Sequence, residues 1–275
     1  MTAAYPPDHH LLRDLRFTFE HEADGRSSRA WMPVVPEICT DLGHARAGAL
    51  ATLVDVIGGG LAASAAAPNW IATADLTLHL VAGAAPGSVV EARGSVLRAG
   101  RTTVVIEVAL TDEGRPIGLA TMSFSVLPRR ESNPEMPLER AAGPSTMATN
   151  ESRMQMPFLD ALGVTVVDAA TGVVDVPVAD WSRNSMGAMQ GGVVATVVDA
   201  AAEVALRTAS GAPLVVTDLQ LTYLGFGRVG PVRTRTEVLA WNDEWGAARV
   251  ELVDTGAEHR EMTVANAVAT RGLSS

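Results

Sequence analysis

Gly43-His44-Ala45-Arg46-Ala47-Gly48-Ala49-Leu50-Ala51-Thr52-Leu53-Val54-Asp55 returns 144 residues later as Gly187-Ala188-Met189-Gln190-Gly191-Gly192-Val193-Val194-Ala195-Thr196-Val197-Val198-Asp199. Carried back to Pro33-Val34 and Pro177-Val178, the gapless alignment keeps eight identities in 23 positions. A chain this rich in Ala, Val and Gly gives about two by chance. With a shift of 143, Asp75-Leu76 and Leu78 fall on Asp218-Leu219 and Leu221, so the similarity runs on past the first segment. The chain is two copies of one unit.

Each copy has a strand-like opening, an apolar helix of small residues, and then strands. The expected helices are 47–65 and 191–209. The expected later strands are 73–80, 88–97, 102–111 and 116–127 in the first copy, and 215–224, 232–241, 246–254 and 260–271 in the second, with turn signals such as Asp112-Glu113-Gly114 between them. One helix followed by an antiparallel meander is an α+β layout. Residues 129–153 carry Arg, Glu, Pro, Ser, Asn and Thr without an apolar period and read as a linker. This divides the chain into units 11–128 and 154–273. Both helices are apolar on nearly every face, which requires burial on all sides. One sheet can curl round only part of such a helix, so the second copy must complete its burial, with the two sheets joined edge to edge.

Hydrophobic residues make up 47% of the chain and charged residues 19%, ample core material for a folded protein. A net charge of −10 with no Lys/Arg-rich run argues against affinity for nucleic acid or anionic membranes. The single cysteine, Cys39, excludes an internal disulfide framework and fits a reducing, cytoplasmic setting. Residues 1–10 lack a basic-then-apolar run, do not resemble a secretory signal, and are expected to be a loose tail. Residues 47–67 approach the length of a membrane span, but Asp55 at mid-span and the many Gly and Ala favour a buried helix. His9, His10, His21, His44, His79 and His259 show no metal-ligand spacing, and no phosphate-binding or dinucleotide loop occurs. Neither metal nor cofactor is expected. Gly58-Gly59-Gly60 lies within the helix and is read as allowing close packing.

Gly191-Gly192 opens a helix, where backbone N–H groups lack internal partners and carry partial positive charge, and bare glycine lets a carbonyl oxygen approach. Asp55 and Asp199 stand mid-helix in apolar surroundings, where an unpaired charge is expensive. Eight residues separate Gly191 from Asp199, ~12 Å along a helix axis, so one copy cannot bring both to one carbonyl. If the helices lie antiparallel about a pseudo-twofold axis, Gly191 meets Asp55 and Ala47-Gly48 meets Asp199. The sites are then composite.

Asn184, Gly187, Gly191-Gly192 and Asp199 resemble the Asn-x-x-Gly-x-x-His-Gly-Gly then Asp pattern of hotdog thioesterases of the phenylacetic-acid-degradation type, and nearly all of each copy is covered. The resemblance implies hydrolysis of acyl-coenzyme A thioesters. Asn184 and the Gly191 N–H would polarise the thioester carbonyl, the Asp of the partner repeat would activate water or attack, and a strand hydroxyl, Thr73 or Thr217, would position the water. Gly187, Gln190, Gly192, Gly48, Thr217 and Arg46 are the expected substrate contacts, with Arg46 a candidate for a coenzyme A phosphate. Gln190 stands where the family has His, and the first copy has Thr40, Arg46 and Ala47 where the second has Asn184, Gln190 and Gly191. One good site is therefore expected, from Asn184, Gly191, Asp55 and Thr73, with a weak or dead mirror site around Asp199. A hotdog hydratase or dehydratase would want a His paired with a carboxylate, and no His occupies the motif. A silent acyl-thioester binding module is the rival from another class. Dimerisation of the fused unit rests on the resemblance alone.

Overall fold

The computed structural model describes residues 5–128 and 142–273. In the first repeat, α1 (Leu11–Asp14), β1 (Thr18–His21) and β2 (Ser27–Pro33) precede the long helix α2 (Ala47–Ala66). The meander β3 (Trp70–Leu80), β4 (Val89–Ala99), β5 (Thr103–Asp112) and β6 (Arg115–Leu127) follows. After β7 (Gly143–Thr146), the second repeat runs through α3 (Phe158–Ala161), β8 (Thr165–Asp168), β9 (Val173–Val176), α4 (Gly191–Ser210), β10 (Val215–Tyr223), β11 (Val232–Trp241), β12 (Trp245–Asp254) and β13 (Arg260–Thr270). The strands follow from alternation: on β5, Val104, Ile106, Val108 and Leu110 are fully buried while their neighbours are not. Between β5 and β6 the two-residue turn Glu113-Gly114 has φ of 51° and 83°, the positive pair that matches the twist of a tight hairpin.

Among the described residues the thirteen strands form one sheet in the order β7-β1-β2-β4-β5-β6-β3-β10-β13-β12-β11-β9-β8. The repeats join where β3 pairs antiparallel with β10, from Asp75 opposite Thr222 to His79 opposite Asp218. This is the expected α+β architecture with a continuous sheet. The helices α2 and α4 pack against the sheet and each other. A Cβ added at Gly48 would stand 2.5 Å from the Cα of Thr196, and one at Gly192 would stand 2.7 Å from the Oγ1 of Thr52. This reciprocal crossing sets the helices antiparallel and places the start of each beside the middle of the other. α2 is long and apolar enough to cross a bilayer, yet it is largely buried inside the fold.

Two expectations need correction. Residues 5–10 are not a loose tail: the Arg13 guanidinium donates to the Pro6 and Pro7 carbonyls at 2.7 and 2.8 Å, and His10 Nδ1 accepts the Leu12 N–H at the start of α1. The stretch read as linker lies outside the described residues up to 141, but within its remainder β7 is hydrogen-bonded along β1. Four residues of edge strand, exposed on one side, carry too little apolar alternation to be read from sequence.

Candidate active site

The start of α4 is set by the loop before it. The Asn184 Oδ1 accepts the N–H groups of Met186 and Ala188 at 2.9 and 3.1 Å, and the Gly187 N–H closes the turn onto the Asn184 carbonyl at 3.0 Å. Gly187 sits at φ 72°, a conformation glycine adopts freely. Gly187, expected as a substrate contact, is exposed in this turn and is not among the residues that line the cavity. Because its oxygen is occupied, Asn184 retains its amide N–H2 as a donor where it lines the cavity.

Gly191 is the first residue of α4, so its N–H has no acceptor within the helix, and no described residue accepts it. Its carbonyl accepts the Tyr223 hydroxyl at 2.9 Å. The next N–H, of Gly192, donates to Asp55 Oδ2 at 3.1 Å, and Thr73 Oγ1 donates to Asp55 Oδ1 at 3.2 Å. A Cβ at Gly191 would lie 2.8 Å from Asp55 Oδ1, so any side chain there would collide with the carboxylate. Burial pushes the Asp55 carboxyl up to about 6, against the opposing pull of the hydrogen bonds from Thr73 and Gly192. Asp55, Thr73, Asn184, Gln190 and Gly191 all line one cavity of about 800 Å3. The Gln190 side chain, 5% exposed, has no hydrogen-bond partner for its Oε1 among the described residues.

The mirror corner has the same backbone with different side chains. The Gly48 N–H donates to Asp199 Oδ2 at 3.0 Å, as Gly192 does to Asp55. The Arg46 guanidinium, however, donates to the same Asp199 oxygen at 2.8 Å and to Glu203 Oε2 at 3.1 Å. Arg207 Nη2 stands 2.9 Å from Glu203 Oε1, an ion pair without hydrogen-bond alignment, and its Nη1 donates to Asp41 at 2.7 Å. Arg46, Asp199 and Glu203 are all buried. Burial pulls the Arg46 guanidinium down, but the charges of Asp199 and Glu203 outweigh it and hold it above its ordinary value. The Glu203 carboxyl is raised, first by burial and then by the charge of Asp199. Arg46, a candidate phosphate contact weighed against a structural role, is thus committed to an internal ion pair.

Thr217 also departs from expectation. It is 18 residues past Asp199, as Thr73 is past Asp55, but the registers of β3 and β10 are interrupted after Thr73 and Val216 respectively. The residue that corresponds to Thr73 is Val216, one earlier, because Asp218 lies 19 residues past Asp199 whereas its counterpart Asp75 lies 20 past Asp55. Thr217 donates instead to Asp218 and to the Val268 carbonyl. Of the Gly58-Gly59-Gly60 run, Gly58 packs tightly, with a Cβ there 2.7 Å from the Met122 sulfur, while Gly59 and Gly60 line the cavity.

Sequence reasoning missed Tyr223, Glu203 and Tyr5. Tyr223, buried enough that its hydroxyl is held well above its ordinary pKa, fixes the start of α4. Its place just past the alternating part of β10 gave no signal. Glu203 lies one turn beyond Asp199, and that spacing could have marked it as a partner for Arg46. Tyr5 lines the cavity, and its hydroxyl and His10 Nε2 both meet the Arg183 carbonyl beside Asn184.

Among the described residues no group of three or more His, Cys, Asp or Glu stands close enough to hold a metal. The corner at Asp55 combines a carboxylate, an unpaired N–H at a helix start and a cavity, the parts needed to hold an oxyanion while a base or nucleophile works beside it. The model of the thioesterase superfamily matches twice, over residues 42–118 and 186–257, together more than half of the chain. Among curated proteins none matches. Among solved structures, the tesB protein of Mycobacterium avium subs paratuberculosis is 12% identical with a TM-score of 0.63, covering 91% of this chain and 94% of that one. An acyl-ACP thioesterase from Bacteroides thetaiotaomicron is 11% identical with a TM-score of 0.60, covering 90% and 98%. A protein with a hot dog fold from Alicyclobacillus acidocaldarius is 12% identical with a TM-score of 0.57, covering 90% and 93%. Two matches to one family model, on two repeats joined through a shared sheet, make this chain a member of the thioesterase superfamily, a thioester hydrolase built as a tandem hotdog.

Proposed function

We propose that the chain hydrolyses acyl-coenzyme A thioesters at the composite corner between Asp55 and the start of α4. The observation that carries this reading is that Asp55 accepts the Gly192 N–H while the adjacent Gly191 N–H is unpaired beside a cavity. The thioester oxygen sits against the Gly191 N–H and the Asn184 amide. Asp55 takes a proton from water as the water oxygen attacks the carbonyl carbon, and the resulting oxyanion is held by the same two donors. Collapse breaks the carbon–sulfur bond, and the coenzyme A thiolate leaves and takes the proton held by Asp55, giving the free acid and the thiol and restoring the carboxylate. A carboxyl poised near 6 is ionised at neutral pH yet basic enough for this transfer, which favours base catalysis. Direct attack by Asp55 would instead carry solvent 18O into the Asp55 carboxylate in a single turnover. Thr73 and the Gly192 N–H orient Asp55, while Gln190 lines the substrate's approach.

The test is thiol release from acyl-coenzyme A esters of graded length, followed against pH. Turnover is expected, with kcat/KM rising as pH passes about 6 and flat above about 7. Saturable binding of the esters without hydrolysis at any pH would replace the enzyme with the binding module.

A further inference from the structure

Asp55, Gly59 and Ala63 follow one another at successive turns of α2 and all line the cavity. Their counterparts on α4 are Asp199, Glu203 and Arg207, whose side chains, with Arg46, occupy the equivalent space in the mirror corner. Loss of every side chain beyond Cβ at positions 59 and 63 is what leaves a groove along α2. A Cβ at Gly59 would touch only the Phe124 ring edge, at 3.9 Å. The facing wall is apolar, from Ile71, Phe124 and Leu127. Among the described residues no Arg or Lys lines the cavity, whereas Glu22 does. The stretch along α2 therefore offers the phosphates of coenzyme A no cation and suits a hydrocarbon.

We infer that the acyl chain of the substrate lies along α2 from Asp55 past Gly59 to Ala63, and that these two small residues select extended aliphatic acyl groups of about ten carbons. This rests on the hydrolytic reading of the Asp55 corner. The distance from Asp55 is ~6 Å to Gly59 and ~12 Å to Ala63. A zigzag chain of ~1.5 Å bonds spans these with about five and about ten carbons. Beyond Ala63 the groove opens at Ser64 and Ala67, which are exposed, so further carbons gain little.

The experiment places blocks at two depths, Gly59→Phe and Ala63→Phe, and measures kcat/KM for straight-chain acyl-coenzyme A esters from two to sixteen carbons. Thermal melts confirm folding, with Gly59→Leu in reserve. In the natural chain kcat/KM is expected to climb roughly fourfold per buried methylene and to level off near ten carbons. Gly59→Phe should stop the climb near five carbons and lower the ten-carbon to four-carbon ratio about 1,000-fold. Ala63→Phe should spare the short esters and lower only those long enough to reach it, flattening the climb just short of the natural ten carbons. Equal losses for short and long esters, or a natural chain indifferent to length, would overturn the inference. If no ester is hydrolysed, the proposed function fails. Dissociation constants of the same esters for the natural chain and both variants then decide the groove by the same pattern.

Discussion

The two corners of the pseudo-twofold solve one physical problem in opposite ways. In both, a backbone N–H at a helix start donates to a carboxylate in the middle of the facing apolar helix. At Asp199 the remaining negative charge is met by the Arg46 guanidinium, and Arg46, Glu203 and Arg207 fill the space. At Asp55 those three positions are Gln190, Gly59 and Ala63, so no cation among the described residues neutralises the acid and a cavity stands beside it. One corner has become part of the core, while the other keeps a carboxyl raised by burial and room for a ligand. Duplication lets a single chain hold both, because only one corner needs to stay open.

The comparison is broken most forcefully at Arg46. Arg46→Met should destabilise the fold by about 3–5 kcal/mol, since it strands Asp199 and Glu203 together without their cation. Gln190→Met, at the matching position, should change stability by less than about 1 kcal/mol, because it removes an acceptor that is already unpaired. Denaturant midpoints of the two variants read this difference, and equal losses would deny the corners their distinct roles.

Next in size is the stability effect of the Asp55 charge. Its folded-state value of about 6 lies above the unfolded value of about 3.9. The stability tied to its protonated form is thus full below about pH 4 and lost as pH rises through about 6. Asp55→Asn cannot ionise and should be about 1–3 kcal/mol more stable than the natural chain at pH 8, with the gain fading toward pH 4. Asp199→Asn should lose stability at pH 8, because Arg46 is left with one carboxylate fewer. Melting temperatures across this range test the sign, and a destabilised Asp55→Asn at pH 8 would mean that the carboxylate is held by more than two hydrogen bonds.

The smallest contrast sharpens the register argument. Thr73→Val should slow turnover about tenfold, the loss of one hydrogen bond orienting Asp55. Thr217→Val should leave turnover alone and lower stability by about 1 kcal/mol through its lost bond to the Val268 carbonyl. A rate loss at Thr217 would show that it serves the site after all.

Much of this was legible from the chain. The repeat placed both helices to within a residue, and the eight-residue gap between Gly191 and Asp199 required the crossed arrangement that the helices adopt. What escaped notice depended on distance across the fold. A count of 18 residues offered Thr217 as the match of Thr73, although the shift of 143 at Asp75 and Asp218 sets Thr73 against Val216; in the fold β10 is interrupted one residue earlier than that count implies, which changes the face a side chain takes. Arg46 read as a ligand contact because its partners, 153 and 157 residues away, show no local spacing to it. Residues 5–10 carry no periodicity at all and are held by hydrogen bonds to Arg13 and to the Arg183 carbonyl.

The central claim is that chemistry takes place at Asp55 and not at Asp199, and turnover of Asp55→Asn and Asp199→Asn on the same acyl-coenzyme A ester tests it directly. With melts confirming that both proteins are folded at the assay temperature, Asp55→Asn should fall at least ~100-fold, the lower end of what a general base contributes. Asp199→Asn should retain most of the natural rate. A dead Asp199→Asn beside a nearly normal Asp55→Asn would contradict the account and move the working oxyanion donor to the start of α2.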